Sequence, residues 1–189
     1  MINILVIEDE VKLKQVICAY LTDSGFGTKE QIYEAVWQQP GEYCGAAVSN
    51  VIGLSNYYTP DDFDRLVGGT TITPALLQNE THPYHQSTEM KEHLRQYGTV
   101  MESWFPLGGR GNPRTLFNDE TISGIAQAHG KTSAQVILRW HLQVGNIAIP
   151  GSGNEAHIRE NYENFDFELT EDEMQKMTAL DRNERFASY

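Results

Sequence analysis

Apolar runs alternate with amphipathic stripes along the chain. Residues 2–7 form an Ile/Val/Leu-rich run closed by Glu8, Asp9 and Glu10, which predicts a buried strand of the parallel type. Leu13, Val16, Ile17, Tyr20 and Leu21 follow at helical spacing and stop before Gly25, so one βα unit opens the chain. Thr28, Lys29, Glu30 and Gln31 fit a capping box ahead of a short helix that ends before Pro40. The apolar stretch 46–52 is open to either strand or helix.

From Ile52 onward apolar runs alternate with capped helices, the rhythm of parallel βα architecture. Strands are predicted at 52–56, 75–78, 99–104 and 146–149. Thr59 caps a helix with Pro60 at its first position and Asp61 and Asp62 in its first turn. Further helices are predicted over 87–97, over 119–129 with Gly130 closing it, and over 133–144 between the box Thr132/Gln135 and Gly145. A helix over 155–162 comes next, and a last one starts at the box Thr170/Glu173 with Met174, Met177 and Leu180 on one face. The fold class is therefore α/β, with about four C-terminal βα units, an N-terminal βα unit and short helices.

Length limits this picture. A complete (βα)8 barrel takes about 250 residues, and the chain has 189. Its 26 acidic against 14 basic residues leave a net charge of −12, a surface that repels phosphate backbones and anionic lipid. No basic patch offsets it, so neither nucleic acid nor membrane is an expected partner. Cys18 and Cys44 lack a CxxC spacing and suggest neither zinc nor a disulfide framework. No signal-like n-region or long apolar span is visible, and a reduced, cytoplasmic protein is the expectation.

Ligands of parallel βα folds bind at the carboxyl ends of the strands. Those ends carry Ser55 and Asn56, then Gln78, Asn79 and Glu80, then Trp104 with the loop to Gly111, then the run from Pro150 to Asn154. Amides and a hydroxyl suit a carboxamide, an indole suits a flat ring, and a Gly-Ser-Gly turn before a helix offers N–H groups to phosphate. The combination points to a nucleotide site.

The same residues carry a resemblance. Ile52-Gly-Leu-Ser-Asn-Tyr57, Leu77-Gln-Asn-Glu-Thr-His-Pro83, Ser103-Trp-Phe-Pro-Leu-Gly108 and the run from Ala128 to Trp140 occur in that order. Ile149-Pro-Gly-Ser152, Ile158-Arg-Glu-Asn161 and Phe165-Asp-Phe-Glu-Leu169 follow. Together they resemble the C-terminal half of the aldo/keto reductase family over about residues 52–189. The resemblance implies a partial TIM-type (βα)8 barrel, NADP(H), and hydride transfer between nicotinamide and a small carbonyl or alcohol substrate. By it, Ser55, Asn56 and Gln78 hold the carboxamide and Trp104 stacks on the ring. Leu107 and Gly108 run along the pyrophosphate, Ser152 and Gly153 lie near the adenosine phosphate, and Glu160 and Asn161 lie at the adenine. Gly151 and His157 stand where many members carry a lysine and an arginine, so NAD(H) stays open as the alternative.

The family's catalytic tyrosine, lysine, aspartate and histidine belong to the other half of its barrel. No catalytic residue is therefore assigned, and a truncated, inactive reductase is the expectation. A half-barrel with open strand edges is further expected to self-associate. Residues 1–26 resemble the start of a response-regulator receiver domain, and 28–51 a piece of its winged-helix output domain, so the domains divide as 1–51 and 52–189. That opening leaves two alternatives: a signalling or DNA-binding module, or a fusion product with no selected function. Residues 1–52 hold 3 basic and 7 acidic side chains, a poor balance for DNA. Glu8, Asp9 and Glu10 are taken as a solvated turn, His82 and His85 as structural rather than metal-binding, His129 as a partner of a helix C-terminus, and Trp37 and Trp140 as core.

Overall fold

The computed structural model describes residues 3–4, 27–28, 53–70, 72–109 and 113–187. The chain divides into two units, Met1–Leu54 with Thr59–Ala75, and Ser55–Tyr58 with Leu76–Tyr189. In the first, β1 (Asn3–Ile4) pairs in parallel with β2 (Gly27–Thr28), so a parallel strand does lie within 2–7. The remainder of the receiver-like and winged-helix-like stretches lies outside the described residues, as do Glu8, Asp9, Glu10 and Trp37. Helix α1 (Pro60–Val67) starts where its signals put it: the Thr59 side chain accepts from the Asp62 N–H at 3.2 Å, and Asp62 pairs with Arg65 at 2.7 Å.

The second unit is built on β4 (Leu76–Glu80), β5 (Val100–Trp104) and β6 (Ile147–Ala148), and β3 (Gly53–Ser55), of which Ser55 belongs to this unit, stands first in the strand order β3-β4-β5-β6. Pairing of β4 with β5 and of β5 with β6 is parallel, and Gln78 sits opposite Glu102 and Glu80 opposite Trp104. Sequence neighbours are thus sheet neighbours, the layout of consecutive βα units. The order and the helices between the strands are those of part of a TIM-type barrel.

Helices α2 (Thr88–Arg95), α4 (Glu120–His129), α5 (Ser133–Gln143), α6 (Glu155–Tyr162) and α7 (Glu171–Thr178) match the expected set. Both capping boxes, Thr132 with Gln135 and Thr170 with Glu173, form in full. Gly130 closes α4 at φ 63°, a left-handed conformation that glycine adopts without a Cβ clash. One helix, α3 (Pro113–Phe117), goes beyond the sequence reading. Strand β4 also runs to Glu80 rather than stopping at Gln78. Asn79 and Glu80 resemble loop residues, yet both are fully buried: Asn79 Nδ2 donates to the Tyr57 carbonyl while its Oδ1 has no partner among the described residues, and Glu80 accepts from the Phe186 and Ala187 N–H groups.

Leu116, Ile122, Val136, Ile137, Trp140 and Met177 are sealed from solvent in one cluster that joins α3, α4, α5 and α7. Each such side chain contributes roughly 1.5–3 kcal/mol through burial. Trp140 is core, as expected. His129 lies in the last turn of α4, and its Nε2 also meets Glu173 of the α7 capping box at 2.9 Å. On the other side of the sheet, Val100, Ile147 and Ile149 remain 39–44 % exposed.

Candidate functional site

The carboxyl ends of β3, β4 and β5 bring three of the sequence-predicted residues together. Asn56 follows β3 at φ 63°, and its N–H donates to the Gln78 carbonyl at 3.0 Å, which fixes it beside β4. Its side-chain Oδ1 accepts from the Tyr58 hydroxyl at 3.0 Å and from the Trp104 indole Nε1 at 3.2 Å. With the oxygen so engaged, the Asn56 amide NH2 is left to donate outward. Gln78 is oriented in the opposite sense. Its Nε2 donates to the Glu102 carboxylate across the β4–β5 register, leaving its Oε1 to accept. One donor and one acceptor on adjacent strand ends match the two polar functions of a primary carboxamide. Ser55, the last residue of β3, is exposed next to them.

Trp104 is half-buried on this rim and held in place, since its ring meets Phe105 edge-on at 4.6 Å. Phe105 and Gly108 carry φ of 52° and 88°, and the Gly108 N–H closes a tight turn on the Phe105 carbonyl at 2.8 Å. The Leu107 side chain packs against the apolar cluster.

A second group of candidates surrounds the start of α6. Asn154 caps the helix by accepting from the Ala156 N–H at 2.9 Å, and the Ser152 hydroxyl accepts from the Asn154 N–H at 3.1 Å. No atom lies within 4 Å of where a Cβ on Gly151 or Gly153 would sit, so the backbone here is open to a bulky group. His157 is exposed on α6. Glu160 is already engaged: its carboxylate accepts from the Thr132 hydroxyl, and its carbonyl from Gln135 Nε2 at 3.3 Å. The Asn161 carbonyl accepts from Asn164. The loop-and-α6 candidates therefore make their contacts with one another and with α5, apart from the Asn56–Gln78–Trp104 set.

Two contributors escaped the sequence reading. Tyr58 accepts from the Glu80 N–H at 3.3 Å while it donates to Asn56, and burial raises its phenol above the ordinary value. Glu102 orients Gln78. For Glu102 the available signal is the two-residue strand period, which puts it on the same face as Trp104.

Beneath the rim, Glu80 is sealed from solvent and accepts from His82 Nε2 at 3.1 Å, from the Phe186 N–H and from the Ala187 N–H at 3.2 Å. Arg185 reaches it at 3.5 Å and lays its guanidinium over the Tyr58 ring at 4.0 Å. His82 stacks on Phe186 with centroids 4.3 Å apart, and burial lowers its pKa to about 4, against the pull of Glu80. The structural role expected for His82 is thus given its partners. Among the described residues no group of three or more His, Cys, Asp or Glu gathers as metal ligands, and no helix is long and apolar enough to cross a membrane.

Comparison with known proteins follows the same residues. The sequence model of the aldo/keto reductase family matches residues 49–182. An aldo-keto reductase of Mycobacterium sp. (strain KMS) is 41% identical over 134 residues, which are 71% of this chain and 47% of that one. Morphine 6-dehydrogenase of Pseudomonas putida is 35% identical, covering 79% of this chain and 53% of its own. A crystal structure of a Gox0644 variant in complex with NADPH superimposes with a TM-score of 0.70 at 31% identity, covering 96% of this chain and 59% of that one. The chain spans about half the length of the curated relatives it matches.

Proposed function

The chain belongs to the aldo/keto reductase family, and from that premise we propose that its second unit binds the nicotinamide end of a dinucleotide at the rim of β3, β4 and β5. The observation that carries this reading is the opposed orientation of two amides, with Asn56 left to donate and Gln78 left to accept. A nicotinamide carboxamide presents the matching acceptor and donor, and the Trp104 indole lies beside the pair. When bound, the cofactor supplies hydride chemistry towards a small carbonyl or alcohol substrate. What this chain contributes is orientation: Tyr58 and Trp104 fix the Asn56 amide, Glu102 fixes that of Gln78, and Ser55 adds a hydroxyl.

We further propose that the open Gly151–Gly153 backbone and the start of α6 take up the adenosine phosphate, with Glu160 and Asn161 at the adenine. Without a lysine at 151 or an arginine at 157, a 2′-phosphate gains little there, so NADP(H) and NAD(H) should bind with similar affinity. Glu155, in the first turn of α6, adds a negative charge at that end. Turnover by the 189-residue chain is expected to be far below that of ordinary reductases, because the motifs from Ile52 to Leu169 resemble the half of the family's barrel that does not carry the catalytic tyrosine and lysine.

Titration with NADPH and with NADH, followed by tryptophan fluorescence, tests the reading. The expected result is saturable quenching by both nucleotides that Trp104→Phe abolishes and Asn56→Ala weakens. Saturable binding by calorimetry with Trp104 emission unchanged would refute the placement of the ring, and no binding of either nucleotide would refute the site.

A further inference from the structure

At the opposite end of the sheet from Trp104, a cavity of about 350 Å3 lies between α2, the start of β5 and the end of α5. Lys91, Arg95, Thr99, Met101, Gln143 and Asn146 are among its lining residues. Lys91 and Arg95 stand four residues apart on α2, a spacing at which like charges face each other and destabilise a helix. Among the described residues the other lysines are each neutralised, Lys131 by Asp166 at 2.7 Å and Lys176 by Asp172 at 2.6 Å. No described carboxylate lies within ion-pair distance of Lys91, whose amine instead sits 5.9 Å above the Trp140 ring. A lysine and an arginine thus line one cavity, and no aspartate or glutamate is among its described lining residues.

We propose that this cavity is a covalent docking site for a small carbonyl compound bearing a carboxylate, with the Lys91 amine joining the carbonyl carbon and Arg95 holding the carboxylate. The nitrogen lone pair forms the C–N bond while the carbonyl π pair moves to oxygen. Loss of the two amine protons with that oxygen, as one water, leaves an imine. No electrons are gained or lost overall, and no further reactant is needed.

The surroundings supply the free amine that the step requires. Burial, and then the Arg95 charge, lower the Lys91 pKa to about 8, with Asp181 pulling the other way. Asp181 is itself engaged by the Gln86 and Asn183 N–H groups. His141, on α5, adds no competing charge near neutrality because burial lowers its pKa to about 3. At pH 7.5 about a quarter of Lys91 is then neutral, against roughly one part in a thousand for an ordinary lysine. Lower basicity also makes the amine a weaker nucleophile, which leaves a net advantage of about tenfold.

The test exposes the full chain to glyoxylate and cyanoborohydride at pH 7.5 and maps carboxymethyl-lysine by mass spectrometry of chymotryptic peptides. Lys91 should be modified about tenfold faster than Lys131 and Lys176, and its rate should level off above pH 8 while theirs keeps rising. Arg95 is exposed, and Arg95→Ala should remove the preference of Lys91 for glyoxylate over acetaldehyde while leaving Lys91 the first lysine that acetaldehyde modifies. Modification of Lys91 no faster than the two paired lysines would overturn the proposal, as would an unchanged glyoxylate-to-acetaldehyde ratio in Arg95→Ala.

Discussion

Glu80→Gln is the most informative substitution in the second unit because it preserves shape while removing charge from a fully buried position. The wild-type carboxylate accepts from the Phe186 and Ala187 N–H groups, from His82 and, at the limit of distance, from Arg185. A glutamine offers one acceptor oxygen where the glutamate has two. If that oxygen keeps Phe186 and His82, the new NH2 faces the Ala187 N–H and Arg185, donor against donor. Changing retained bonds from charge-assisted to neutral costs about 1 kcal/mol, and leaving a buried donor unmet costs a further ~1–3 kcal/mol. Relief of the buried charge returns part of this, so a net loss of about 2 kcal/mol is expected. The loss should be concentrated in the C-terminal segment, which is otherwise tied down by the Arg182 and Glu184 N–H groups on the Tyr84 carbonyl and by the Phe186 stack on His82. Hydrogen exchange at the Phe186 and Ala187 amides reads this directly, with tryptic cleavage after Arg182 and Arg185 and urea unfolding of the whole chain as companions. Faster exchange at both amides, faster cleavage and a lower urea midpoint are expected. Unchanged protection at Phe186 and Ala187, with stability within ~0.5 kcal/mol of wild type, would refute the view that Glu80 anchors this segment.

Two further predictions follow from buried groups and backbone strain. His141 and His82 both have folded-state pKa values below the ordinary 6.5 because burial disfavours their charged forms, so the unfolded chain binds more protons once the pH falls below 6.5. Their contribution is therefore complete above pH 6.5 and is lost as pH drops towards 3. For His141 it amounts to about 5 kcal/mol as an upper bound. Urea midpoints measured from pH 7.5 to 4 should fall steeply below 6.5, and a His141→Leu variant with a parallel profile would contradict the assignment. Gly109 sits at φ 67°, with the site of a Cβ 2.4 Å from the Phe105 ring. Gly109→Ala should cost about 1–3 kcal/mol and displace the Trp104–Phe105 pair, which thermal unfolding and the Trp104 emission maximum would show. An alanine variant with unchanged melting and emission would speak against a constrained turn.

Local chemistry explains which elements could be read in advance. Thr59, Thr132 and Thr170 declare helix starts because the groups they bond lie three residues away, and Gly130 declares an end because its own backbone takes the left-handed turn. Strand ends are harder. Asn79 and Glu80 carry loop-like side chains, and what keeps them in β4 is the Tyr57 carbonyl and the amides of 186 and 187, more than 100 residues away in the latter case. The candidate site divides the same way. Asn56, Gln78 and Trp104 stood out as polar or aromatic residues at strand ends. The roles of Tyr58 and Glu102 depend on cross-strand register, and the bond from Thr132 to Glu160 on the packing of α6 against α5.

Sequence alone determined the α/β class, the consecutive βα units from Ile52 onward, the helix caps and the family, since all of these depend on periodicity, short-range bonding and motif order. Tertiary structure decided which way each amide of the Asn56–Gln78 pair points, where the buried charge of Glu80 finds its donors, and that Lys91, unlike Lys131 and Lys176, has no described acid beside it. The physical reason is range. A cap or a turn is settled within a few residues of chain, whereas the direction of an amide and the charge state of a buried amine depend on whatever the fold brings next to them.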